Sequence, residues 1–216
     1  LFAFNLSESM NAKGFFITFE GIDGCGKTTQ LELAERFLTE RGRETLVVRE
    51  PGSTPLSERI RDILLDNGLT INPVSELMLY VAARAELVRN VIVPALEAGK
   101  VVLCDRFYDS TTAYQGYGRD IDVTLINQLH RLTVGEHSPH LTFLIDVDYD
   151  TSLSRRKLAA DRLESESKEF FGKVRDGFIE IARAEPNRVI VIDGCKSIDS
   201  IFTEVRHWLE TKLKTL

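Results

Sequence analysis

GIDGCGKTT, Gly21 to Thr29, follows directly on the apolar run FFITFE, Phe15 to Glu20. Glycine weakens a strand or helix interior, so a glycine-rich stretch set against a core strand needs a reason. The spacing supplies one. Gly21, Ile22, Asp23, Gly24, Cys25, Gly26, Lys27 and Thr28 fit GxxxxGK[ST] in full, between a strand and a helix. In such a loop successive N–H groups turn toward phosphate oxygens, and the helix adds the positive end of its dipole. Lys27 is expected to reach the β- and γ-phosphates of ATP and Thr28 to ligate Mg²⁺, with Thr29 completing the loop. The alternative is an ordinary strand–helix turn, which the complete match and its flanks disfavour. The loop alone does not fix a reaction, because motors, GTPases and small-molecule kinases share it.

Outward from the loop, short apolar runs alternate with longer amphipathic stretches. The runs are 15–20, 45–50, 100–105, 141–147 and 188–193, rich in Val, Ile, Leu and Phe and without clean polar alternation. They read as strands buried on both faces. Helices are expected over 28–42, 56–68, 74–99, 123–133, 169–186 and 197–214, with Gly42 and Gly99 as C-caps. Alternating strands and helices imply parallel crossovers and an α/β sandwich. Residues 14–216 are expected to form a single domain, and 1–13 an N-terminal extension or remnant, with Met10 available as a start.

Composition narrows the field. The chain carries 27 Lys and Arg against 33 Asp and Glu, a net charge of -6, which argues against a general nucleic-acid partner. No apolar run approaches the ~20 residues of a membrane span, and the N-terminus lacks the basic region of a signal peptide. Cys25, Cys104 and Cys195 are odd in number and widely spaced. They suggest neither a disulfide framework nor a zinc site, so a reducing, cytoplasmic location is expected. Cys25, beside Lys27 at a helix N-terminus, is expected to have a lowered thiol pKa and to alkylate before the other two, with ATP protecting it. The alternative is a small residue tolerated in the loop.

In parallel sheets ligands bind beyond the carboxyl ends of the strands. REPGSTP brings Arg49, able to grip an anion bidentately or to be a plain surface arginine. DRF brings Asp105, suited to Mg²⁺ through water, and Arg106, able to bridge phosphates; a structural ion pair is the alternative. DSTTAYQGYG, 109–118, mixes hydroxyls, an amide and rings, as a small-molecule pocket rim would, or a polar helix start. Tyr80 and Arg84, four apart, share a helix face and could stack on and hydrogen-bond a base; a core aromatic beside a surface arginine is the alternative. Arg155, Arg156, Lys157 and Arg162 form a basic segment able to close over transferring phosphates, or a solvated face.

Together these segments resemble the bacterial thymidylate kinases, the dTMP kinases of the nucleoside monophosphate kinase group. FEGIDGCGKTTQ, REPG, AARAELV, CDRFYDSTTAYQGYG and DRLE-x-E followed by FF-x-KVRDGF occur in family order from about Gly14 onward. The resemblance implies a P-loop kinase three-layer sandwich, a five-stranded parallel sheet flanked by helices, a short lid over about 153–168, a homodimer, and transfer of the ATP γ-phosphoryl group to dTMP. It places Lys27, Asp23, Arg106, Arg155 and Arg156 at the chemistry and adds Arg162 to the ATP site. Asp23, Arg49, Tyr80, Arg84, Asp105, Arg106, Ser110, Thr111, Tyr114 and Gln115 would surround dTMP. Tyr80 would stack on thymine, Arg84 and Thr111 would contact its polar edge, and Tyr114 would sit by the sugar 2′ carbon. The loop carries no arginine between Gly21 and Gly26, so a lid arginine, Arg155 or Arg156, would supply that charge.

Overall fold

The computed structural model describes residues 14–156 and 161–213. The N-terminal segment 1–13 and Lys157 of the basic cluster lie outside the described residues. Five strands, β1 (Phe15–Glu20), β2 (Thr45–Arg49), β3 (Val101–Asp105), β4 (Leu141–Asp146) and β5 (Val189–Asp193), form one parallel sheet in the order β2-β3-β1-β4-β5. The sequence expectation of a parallel α/β sandwich holds. One of its premises holds only in the middle of the sheet. β1, β3 and β4 are buried almost throughout, whereas β2 and β5, at the edges, are partly exposed, with Val47 and Val191 open to solvent.

The helices are α1 (Lys27–Thr39), α2 (Pro55–Leu65), α3 (Pro73–Leu87), α4 (Val93–Glu97), α5 (Tyr108–Thr111), α6 (Val123–Val134), α7 (Tyr149–Arg155), α8 (Lys168–Ala184) and α9 (Ile198–Leu213). Gly42 and Gly99 follow helices with positive φ, as expected of C-caps. Phe15, Ile17 and Phe19 share a core with Leu31 and Leu38 of α1, Phe171 of α8 and Val205 of α9. Phe16, Val102 and Cys104 share another with Leu87 and Ile92.

The single helix expected over 74–99 is interrupted by a π-helical turn, Val88–Ile92, before α4. Pro94 lacks an N–H and its ring crowds the carbonyl four residues back, which a wider turn relieves. A second π turn, Thr112–Gly118, continues α5. It packs on α8 so closely that a Cβ on Gly118 would lie 2.6 Å from the Phe170 ring.

Register sets the site. Phe19 and Arg49 both pair with Asp105, and Asp146 pairs with Asp193, so the strand exits line one edge of the sheet.

Candidate active site

The loop after β1 is shaped by close approach. A Cβ on Gly24 would lie 2.5 Å from the Ser152 carbonyl oxygen of α7, and Gly26 caps α1 at φ 100°. Only glycine fits both demands at low cost. Ser152 Oγ also donates to the Asp23 carbonyl at 2.5 Å. α7 therefore braces the loop beside a wide open cleft lined by Asp23 through Gln30 with Arg155, Arg156 and Lys196. Lys27 is 6% exposed, its Nζ near the Ile22 carbonyl at 3.4 Å and Asp23 Oδ1 at 3.5 Å. Thr28 Oγ1 donates to Asp105 Oδ2 at 2.6 Å, joining the two residues expected at a metal.

A second, smaller cavity is also lined by Asp23. Its walls include Tyr80, Arg106, Ser110, Thr111, Tyr114 and Gln115. Asp23 lines both cavities, and Arg106 fixes it: Nη2 donates to Asp23 Oδ1 at 2.7 Å and Nη1 to the Gly21 carbonyl at 2.9 Å. Arg106 has φ 66°, an unfavourable conformation for a side chain with a Cβ, of the kind that persists where surrounding contacts over-determine it. Burial opposes charge on Asp23, but Arg106 and then Lys27 outweigh it and hold the carboxyl well below its usual range. Burial pushes the Tyr80 and Tyr114 phenols up, so both stay neutral.

Beneath Arg106 lies Glu20, the last residue of β1. Its Oε1 accepts from the Phe107 N–H at 2.7 Å, and Ser110 Oγ lies 2.6 Å from its Oε2. Burial, and next the charge of Asp109, push its carboxyl from 4.5 up to about 8. Between those values the folded chain binds a proton that the unfolded chain has released, so folding stability falls as pH rises through that window. Glu20→Gln keeps both contacts without the titration. Urea unfolding at pH 5 and pH 8 is expected to show a smaller loss in the variant than in the parent; equal losses would remove Glu20 as the cause.

Other expected residues lie elsewhere. Arg84 is fully buried behind the second cavity and is not part of its wall. It is paired with the Glu50 carboxylate, donates to Thr111 Oγ1 at 2.5 Å, and lies 3.3 Å from His130 Nδ1. Arg49 is half-exposed and paired with Glu58 at 2.7 Å, outside both linings. Arg162 donates to the Leu64 carbonyl at 2.8 Å and lies 2.6 Å from Glu76, away from the donor loop. Arg155 and Arg156 do reach that loop's cavity. Arg155 donates to the Gly194 carbonyl at 2.9 Å, while Arg156 leaves its Nε buried without a partner among the described residues.

The low-pKa reading of Cys25 is corrected. Its thiol is 1% exposed, and burial raises its pKa despite Lys27 and Arg106. The Lys27 backbone N–H at the start of α1 does reach the sulfur and lowers the pKa, but burial is the larger effect. Cys195 is exposed and Cys104 buried. Peptide mapping after limited alkylation is therefore expected to find Cys195 labelled first; earlier labelling of Cys25 would restore the sequence reading.

Sequence reasoning passed over Arg61, which lines the second cavity and donates to the Pro51 carbonyl at 3.1 Å. The signal was its spacing of four from Leu65, another lining residue, on α2. It also passed over Lys196, Ser197 and Ile198 on the donor side. His130 carried no signal as a lone histidine.

A glycine loop with a buried lysine, opening on one cavity with a second beyond one aspartate, on a five-stranded parallel sheet, places the chain in the P-loop class. The comparisons specify which family. The family model "Thymidylate kinase" matches residues 19–205. The thymidylate kinase of Kosmotoga olearia is 46% identical over 192 residues, covering 88% of this chain and 92% of that protein. That of Geobacter sp. strain M21 is 47% identical over 212 residues, covering 94% of each. The crystal structure of thymidylate kinase from Ehrlichia chaffeensis superposes with a TM-score of 0.76 at 40% identity, covering 92% of this chain and 99% of that one. The chain belongs to the thymidylate kinase family, and its activity is the ATP-dependent phosphorylation of dTMP to dTDP.

Proposed function

We propose that the two cavities divide the reaction of this dTMP kinase, with ATP in the larger and dTMP in the smaller. The observation that carries this is the single carboxylate, Asp23, common to both walls, with Arg106 bound to it. The γ-phosphoryl group and the dTMP phosphate meet there, between Lys27 and Arg106. The protein supplies position and positive charge, since phosphoryl transfer needs little covalent chemistry from it. Arg155 and Arg156 both line the donor cavity, Arg155 held by the Gly194 carbonyl at 2.9 Å and Arg156 by the Glu164 carbonyl and Ser152 Oγ at 3.0 Å, and one of the two supplies the lid charge to the phosphates.

Mg²⁺ fits the Thr28 hydroxyl and Asp105 carboxylate, a pair of hard oxygen donors at the loop's end. No cluster of three or more His, Cys, Asp or Glu able to hold a metal occurs among the described residues, so the remaining ligands would be phosphate oxygens and water. The ion, when bound, neutralises charge on the transferring phosphates. On the acceptor side Tyr80, Thr111, Tyr114 and Gln115 frame the nucleoside and Arg61 faces its anionic end. Arg84 acts one step back, holding Glu50 and Thr111 in the wall.

A homodimer suits the surface. Val74 and Met78 of α3 and Leu125 and Leu132 of α6 are exposed, at helical spacings that give each helix one apolar stripe. No helix among the described residues is long and apolar enough to cross a membrane. The reading is tested by coupled ADP release with Mg-ATP and dTMP, dUMP, dCMP, dGMP, AMP, UMP or no acceptor. Release strongest with dTMP is expected; equal release with and without acceptor would overturn the assignment of the second cavity.

A further inference from the structure

Glu76 lies in the first turn of α3, is 0% exposed, and lines neither cavity. Three side chains from two other parts of the chain converge on it. Gln115 Nε2 donates to Oε1 at 2.9 Å, and Arg119 donates to Oε1 at 3.2 Å and Oε2 at 3.3 Å. Arg162 Nη2 reaches Oε2 at 2.6 Å. Each donor has a consequence for the dTMP cavity. Gln115 is part of its wall. Arg162 sits between Asp161 and Leu163, which are also part of the wall, and its Nε ties that segment to the Leu64 carbonyl of α2 at 2.8 Å. Arg119 extends the network to Glu166 at 2.6 Å.

We infer that Glu76 is a positioning residue for the acceptor: it fixes the segment 161–166 across the dTMP cavity and orients Gln115 within it. The inference rests on the assignment of dTMP to that cavity. The charge is what makes the carboxylate suited to the task. Burial works against it, but the hydrogen bonds of Gln115 and Arg119, with Arg162 close by, outweigh burial and hold Glu76 below the ordinary carboxylate range. It is therefore an anion hydrogen-bonded by Arg119 and ion-paired with Arg162 at 2.6 Å, and charge-assisted hydrogen bonds like that of Arg119 are the strong ones. Without it two cations share a buried space, and the segment carrying Asp161 and Leu163 loses its anchor on α3. The same segment reaches the donor cavity through Glu164, whose carbonyl accepts from Arg156 at 3.0 Å, so ATP feels the loss only through that one residue.

The test is a split in substrate kinetics. Glu76→Gln preserves size and an acceptor for Gln115 but removes the charge; Arg162→Met removes the anchor from the other side; Tyr80→Ala reports on the cavity itself. Glu76→Gln and Arg162→Met are each expected to raise KM for dTMP about 10–100-fold, the scale of a lost charged hydrogen bond, with a clearly smaller increase in KM for ATP, which meets the segment only at Glu164. A folded Glu76→Gln with dTMP KM unchanged, while Tyr80→Ala raises it, overturns the inference and leaves the cavity assignment standing. Equal increases for both substrates also overturn it, because they mark general loosening. If none of the three changes dTMP KM, the cavity assignment falls and the inference with it. Should Glu76→Gln fail to fold, Arg162→Met decides by the same measurement.

Discussion

Arg106→Ala is expected to lower turnover by a factor on the order of 10²–10³ while leaving the chain folded, the usual scale for one electrostatic contact to a transferring group. Arg106 lines the second cavity, proposed above for dTMP, and binds Asp23, which lines both cavities, at 2.7 Å. Among the described residues no other guanidinium has that placement: Arg61 lies at Pro51, and Arg156 lines the loop cavity. Its loss removes positive charge and also releases Asp23, whose carboxylate is then repelled by incoming phosphates. Alanine leaves the backbone at φ 66° and removes the contacts to Asp23, Gly21 and Ser110, so some stability is lost as well and the rates are compared at a temperature where the variant is folded. Initial rates at saturating ATP and dTMP, with thermal unfolding as the control, check this. Turnover within tenfold of the parent would remove Arg106 from the reacting phosphates.

Arg84→Met is expected to destabilise the fold by roughly 3–5 kcal/mol, the cost of breaking a buried ion pair from one side. Arg84 and Glu50 are both almost wholly removed from water, and the pair joins α3 to the exit of β2. Burial already pushes the Glu50 carboxyl up, with Arg84 opposing. Without the arginine that carboxyl must take up a proton, and Thr111 and His130 each lose a partner. Burial, and next the charge of Arg84, lower the His130 pKa, so the ring is neutral and cannot replace the lost charge. Urea unfolding measures the loss. Adding Glu50→Gln to Arg84→Met is expected to restore part of it, whereas a single-variant loss under about 1 kcal/mol would show that the pair is not coupled as described.

The sheet was legible because three of its strands are buried on both faces and all five end in polar or glycine-containing turns. The edge strands were read the same way, and only the strand order shows that β2 and β5 lie at the rim. The donor loop was legible because a local backbone shape requires glycines at fixed spacing. The arginines were not, because local spacing does not say which buried carboxylate captures which guanidinium. Arg84 goes to Glu50 and Arg162 to Glu76, partners 34 and 86 residues away in sequence, while Arg106 goes to Asp23 and faces the dTMP cavity. Cys25 was misread for a related reason. Helix dipole and Lys27 are visible in sequence, but the burial that overrides them comes from packing against Gly21 and the core.

In the proposed reaction the two substrates meet end to end at Asp23 and Arg106. A crystal structure with adenosine and thymidine joined by a polyphosphate tests it most directly. The expected result has thymine between Tyr80 and Thr111, adenosine toward Lys196 and Ile198, and the phosphates running past Lys27, Asp23 and Arg106. Thymine on the loop side, or phosphates that bypass Asp23 and Arg106, would contradict it.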